Sequence, residues 1–187
     1  MFRTEGGRLV ETTGQLVLEF PHEEEAATVQ WSNRSADDAT FEEAVRLEQE
    51  GRLEDAAARY RQLLLEEGPS ADVCFNLANV LHGLGERQAA IERLHEAVML
   101  DPDHADAWNN LGNLLAEKNR LQEACHAYNR AVTIDPDYAD AHYGLADVLD
   151  QSGRLDEARL HWRAYLQLEP TGDCADYARS RLATQTG

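Results

Sequence analysis

The sequence predicts an all-α solenoid: four helix-turn-helix repeats closed by a capping helix. Three observations carry this. The chain matches itself at an offset of 34, with Gly51, Gly85, Asn119 and Gly153 in one column, Ala56, Ala90, Ala124 and Ala158 in a second, and Tyr60, Leu94, Tyr128 and Trp162 in a third. A fixed period of about 20–50 residues marks units that bury their apolar faces by stacking on one another. Within a unit the apolar positions recur at helical spacing: Trp108, Leu111, Gly112 and Leu115, then, after a turn at Asn119-Arg120, Ala124, Tyr128, Ala131 and Ile134. Finally, a small-residue column (Ala44, Ala78, Gly112, Ala146) stands where paired helices must approach closely.

The units run over residues 37–70, 71–104, 105–138 and 139–172, without insertions. Leu77, Leu111 and Leu145 recur just before the small column, while unit one has Glu43 there and ends on Gly68-Pro69. A terminal repeat facing solvent degenerates in this way. Gly51, Gly85 and Gly153 suit a left-handed turn residue after the first helix of a unit, and Asn119 is the next best residue for that conformation. Asp101-Pro102, Asp135-Pro136 and Glu169-Pro170 close units two to four, where proline ends the helix. Residues 173–187 read as a capping helix and tail. Cys174, Tyr177, Ala178 and Leu182 form its apolar stripe, with Asp173 and Asp176 near the start and Arg179 and Arg181 near the end, as the helix dipole favours.

Residues 1–36 are a leader of another kind. Arg8–Glu11 and Gln15–Phe20, joined by Thr12-Thr13-Gly14, read as a short hairpin with Leu16, Leu18 and Phe20 on one face. Residues 21–36, with Glu23-Glu24-Glu25, read as an acidic linker. Two readings of the leader stand: a mostly disordered segment, or a connector with a partner to pack on.

The repeat resembles the tetratricopeptide repeat (TPR). Its pattern W-x2-L-G-x2-Y, then A, F and P, is met by Trp108, Leu111, Gly112, Leu115, Ala124, Tyr128 and Pro136. The resemblance implies a right-handed superhelix whose first helices line a concave groove that binds protein or peptide. The leader, from Gly7 to Phe20, loosely resembles the connector that precedes TPR arrays in bacterial regulators with a MerR-like helix-turn-helix domain. That second resemblance implies an alternative function: the partner-binding or sensory half of a transcriptional regulator whose DNA-binding domain is not in this chain.

Charge and composition narrow the partners. With 17 basic and 35 acidic residues the net charge is −18. That argues against the phosphate backbone of nucleic acid and against an anionic membrane surface. No apolar run is long enough to span a bilayer, and no secretory signal begins the chain. Three cysteines without CxxC spacing (Cys74, Cys125, Cys174) read as reduced thiols, placing the chain in the cytoplasm. All basic residues but Lys118 are arginine, the codon bias of a GC-rich bacterial gene.

No catalytic chemistry is expected. The seven histidines form neither HExxH nor a CxxC–HxxxH array, and there is no phosphate-binding glycine loop and no GxSxG. His142 takes the place of Trp108 in its unit, which reads as packing. Asp72, Asp106 and Asp140 recur at the second position of their units, which reads as a helix-start role. No catalytic residue, metal ligand or cofactor is therefore expected, and the sequence leaves the oligomeric state open.

The TPR resemblance implies that unit positions 2, 5, 6, 9, 12 and 13 face the groove. The candidate binding residues there are Phe75, Asn76, Asn79 and His82 in unit two, Asn109, Asn110, Asn113 and Glu117 in unit three, and Tyr143 and Asp147 in unit four. No Lys or Arg occupies such a position. Family members that grip a chaperone's carboxylate tail use cations there, so that ligand class is excluded. Glu48, Glu117, Asp147 and Asp150, read as lacking a fixed cation, point to a basic or neutral partner segment. Asn76 with Asn110, and Asn79 with Asn113, form a ladder of amides that can each donate to and accept from a peptide backbone. They also read as solvated residues, or as bridges between helices.

Overall fold

The structure, a computed structural model, describes residues 2–5, 8–11, 16–19 and 34–184, with side chains from Thr40 onward. Three strands come first, β1 (Phe2–Glu5), β2 (Arg8–Glu11) and β3 (Leu16–Glu19), in an antiparallel sheet of order β1-β2-β3. Arg8 pairs with Glu19 and Leu9 with Leu18, and a bulge then sets Val10 opposite Leu16. The β1 strand was not anticipated: it pairs Phe2 with Glu11 and Glu5 with Arg8. The linker read over residues 21–36 lies outside the described residues up to residue 33.

Nine helices follow among the described residues: α1 (Arg34–Gln49), α2 (Leu53–Glu66), α3 (Ala71–Gly83), α4 (Arg87–Leu100), α5 (Ala105–Glu117), α6 (Leu121–Ile134), α7 (Ala139–Gln151), α8 (Leu155–Leu168) and α9 (Asp173–Thr184). They form four antiparallel pairs and a final single helix, the all-α repeat solenoid read from the 34-residue period. Each helix packs on the next, and α5 also touches α7, so the first helices of units three and four meet directly.

The turn chemistry is uniform. Gly51, Gly85 and Gly153 sit at φ 75°, 79° and 75°, and Asn119 takes the same left-handed turn at φ 57°. At the other ends, Asp101 and Asp135 each accept a hydrogen bond from the backbone N–H two residues on, at 3.0 Å. These side chains hold the Asp-Pro turns that aim each new pair of helices.

One core runs the length of the array. Tyr60, Leu94 and Trp162 from the second helices are fully buried against Ala44, Ala78 and Ala146 from the first. The capping helix turns Ala178 and Leu182 of the expected stripe inward and adds Ala175 to it. Ala175 and Ala178 are buried and Leu182 half-buried, while Cys174 and Tyr177 are exposed.

Candidate functional site

The first helices α3, α5 and α7 bring most of the candidate residues into one line. Asn110 Nδ2 donates to Asn79 Oδ1 at 2.9 Å, tying α5 to α3. Asn113 Oδ1 accepts from the Tyr128 hydroxyl at 2.7 Å. Phe75 lies against the His104 ring at 4.6 Å, and His82 Nε2 lies 3.6 Å from Glu117. Asn76 is half-buried. Tyr143 belongs to an aromatic cluster, edge-on to Trp162 at 5.0 Å and to Tyr165 at 5.2 Å.

Between α5 and α7 the line deepens into a cleft of about 290 Å³, lined by Asn109, Asn113, Tyr128, Asp140, Tyr143 and Asp147 among others. Two glycines explain its shape. A Cβ at Gly112 would fall 2.7 Å from the Tyr128 ring, and one at Gly144 would fall 2.5 Å from it. The ring fits because both first helices present backbone alone, which carries the phenol to Asn113. Burial, and then the Asp147 and Glu117 carboxylates, push the Tyr128 phenol well up from its ordinary value. Asn109 is only 4% exposed and its Oδ1 has no hydrogen-bond partner.

Two carboxylates read as free of cations are not. Arg181 of α9 reaches Asp150 through two hydrogen bonds of 2.7 Å, and Asp150 is buried. Arg87 of α4 donates to Glu117 at 2.9 Å. Reading only the first helices hid these arginines, which come from other elements. Glu48 accepts from the Tyr60 hydroxyl at 3.2 Å. Asp147 accepts from Gln151 at 2.7 Å, and no ion pair among the described residues engages Asp140 or Asp147.

Two family models, each described as a tetratricopeptide repeat, match residues 75–139 and 115–182, together more than half of the chain. The chain is a tetratricopeptide repeat protein. Among solved structures, MamA is 22% identical with a TM-score of 0.68, over 79% of this chain and 84% of that one. YrrB, described as a TPR protein with an unusual peptide-binding site, is 22% identical with a TM-score of 0.69, over 78% and 75%. PilF of Pseudomonas aeruginosa is 26% identical with a TM-score of 0.70, over 81% and 69%. These likenesses concern the fold. No curated protein matches the sequence significantly. No described helix is long and apolar enough to cross a membrane.

One contact of this TPR array titrates. Trp108 Nε1 donates to the Pro102 carbonyl at 2.9 Å, and one unit on, His142 Nε2 makes the same bond to Pro136 at 3.0 Å. A carbonyl only accepts, so His142 carries its proton on Nε2 and offers Nδ1 as an acceptor. His161 Nδ1, 3.0 Å away, is then the donor. Burial, and then His142, lower the His161 pKa, while Glu157 opposes them. The unfolded chain therefore binds this proton first, so the contribution is full above the ordinary histidine value of about 6.5 and is lost as pH falls below it. Melting temperature measured from pH 7.5 to 5.0 should fall, and His161→Gln should flatten the slope. An equal slope in the variant would remove the pair from the pH response.

Proposed function

We propose that this TPR protein is a non-catalytic interaction module that holds a segment of a partner protein in its concave groove. The observation that carries the reading is the row of amides on adjacent first helices, with Asn79 and Asn110 joined at 2.9 Å. That bond uses one donor of Asn110 and one acceptor site of Asn79, leaving each amide with further donors and lone pairs for a peptide backbone. YrrB, a TPR protein described with a peptide-binding site, supports the same use of the fold. The carboxylates Asp140 and Asp147 favour a basic or neutral segment, and the net charge of −18 disfavours nucleic acid. Free Cys74, Cys125 and Cys174 suit a reducing bacterial cytoplasm.

The test is selection of peptides from a displayed random library on the whole chain, followed by fluorescence polarisation with the best binder. Asn76→Ala combined with Asn110→Ala should weaken binding about tenfold, since each lost neutral hydrogen bond is worth roughly 0.5–1.5 kcal/mol. Helicity should stay unchanged, and Leu65→Ser, at an exposed position of α2 outside the groove, should bind as the parent does. Affinity within twofold in the double variant would sink the amide row as the binding element.

A further inference from the structure

We propose that the cleft between α5 and α7 is a receptor for one arginine side chain of the bound segment. This deepens the groove reading above and rests on it.

Three features of the cleft converge. First, Asn109 is 4% exposed and its Oδ1 lacks a partner, although buried carbonyl oxygens are almost always hydrogen-bonded. The residue lines the cleft, and rotation of its amide would present that buried oxygen to a donor entering there. Second, the charge is one-sided. Asp140 and Asp147 line the cleft, and no Lys or Arg does. The cation whose field reaches Asp147 is Arg181, and its hydrogen bonds go to Asp150 instead. Asp147 accepts from Gln151 on Oδ2 and, at 3.5 Å, from Tyr177 on Oδ1, which leaves lone pairs on a carboxylate that can take about four donors. Third, the walls suit a flat cation. Tyr143 and Gly144 line it, the Tyr128 ring sits against the Gly144 backbone, and the volume is about 290 Å³.

Guanidinium matches this set. It is planar, always charged, carries five donors and no acceptor, and stacks on aromatic faces. Its spread donors suit an amide oxygen on α5 together with a carboxylate on α7. An ammonium group is a point charge that uses neither the ring face nor the spread of acceptors.

The experiment uses the whole chain, labelled with nitrogen-15, titrated with N-acetyl-arginine amide and, separately, with the neutral isostere N-acetyl-citrulline amide. The arginine probe should shift the Asn109 and Asn113 side-chain amide resonances saturably. The citrulline probe should bind at least tenfold more weakly. Asp140→Asn with Asp147→Asn should cost at least tenfold with the fold intact by circular dichroism. If that pair unfolds, Asp147→Asn alone should cost about threefold. Equal shifts from citrulline, no movement at Asn109, or full affinity in a folded variant would each overturn the proposal. Groove peptides that lack arginine and ignore Asp140→Asn with Asp147→Asn would remove the receptor and keep the groove reading. Arginine binding at Asn109, together with peptide binding unaffected by Asn76→Ala and Asn110→Ala, would do the reverse.

Discussion

Deleting residues 173–187 will lower the melting temperature on the order of 5–15 °C, taking about 2–4 °C per kcal/mol for a chain of this size. Helix α9 packs Ala175, Ala178 and Leu182 onto the core, and the Tyr177 ring lies 5.8 Å from Trp162. Without it the surface of α8 around Trp162 and Tyr165 meets water. Burying one large apolar side chain is worth roughly 1.5–3 kcal/mol, and the Arg181–Asp150 pair goes as well, so a loss of about 2–4 kcal/mol is expected. Since each unit stabilises only its neighbours, hydrogen exchange should speed up most in α7 and α8 and least in α1 and α2. Arg181→Ala alone should give a smaller drop, because that side chain is 37% exposed and solvent screens part of the bond. An unchanged melting curve after truncation would mean that α9 is undocked in solution.

Gly112→Ala and Gly144→Ala should both destabilise, and the sign is the point. Ala in place of Gly inside a helix ordinarily gains about 0.5–1 kcal/mol from backbone entropy. Here the added methyl would fall 2.7 Å and 2.5 Å from the Tyr128 ring, closer than carbon atoms pack. Overpacking of this kind costs about 1–3 kcal/mol, which outweighs the gain. Tyr128→Leu, which places in unit three the residue that unit two carries as Leu94, should restore the stability of Gly112→Ala. Chemical denaturation of the single and double variants measures the coupling. Additive effects, or a stabilising Gly144→Ala, would show that the ring has room to move.

The fold was legible because a solenoid writes the same instruction several times. One glycine before a helix is ambiguous, whereas Gly51, Gly85, Asn119 and Gly153 at a constant interval specify one turn repeated. The candidate site was less legible, because its geometry depends on departures from the repeat. Asn109 was readable as a groove position, but its burial follows from how α5 meets α7. The Tyr128 wedge needs Gly112 and Gly144 together, and these belong to different units. The cations on Asp150 and Glu117 come from α9 and α4, so a scan of the first helices missed them. On the cap, Ala178 and Leu182 were legible as inward residues, whereas Ala175 carries too little side chain to stand out beside Cys174 and Tyr177. Small residues, not large ones, mark where two helices touch.

The aromatic cluster at the C-terminal end has an optical consequence. Tyr143 and Tyr177 lie beside Trp162, with ring centroids 5.0 Å and 5.8 Å from the indole, and Tyr165 lies against Tyr143 at 5.2 Å. At such separations light absorbed by these phenols is passed to the indole, so this end emits as tryptophan alone. Trp162 is fully buried, whereas Trp108 is only half-buried and packs beside Arg130 at 5.7 Å. These two of the chain's three indoles therefore differ in colour and in access to quenchers. Tyr143 also lines the cleft, so the emission of Trp162 couples the occupancy of that cleft to the seating of the last helix, and both can be followed without attaching a dye.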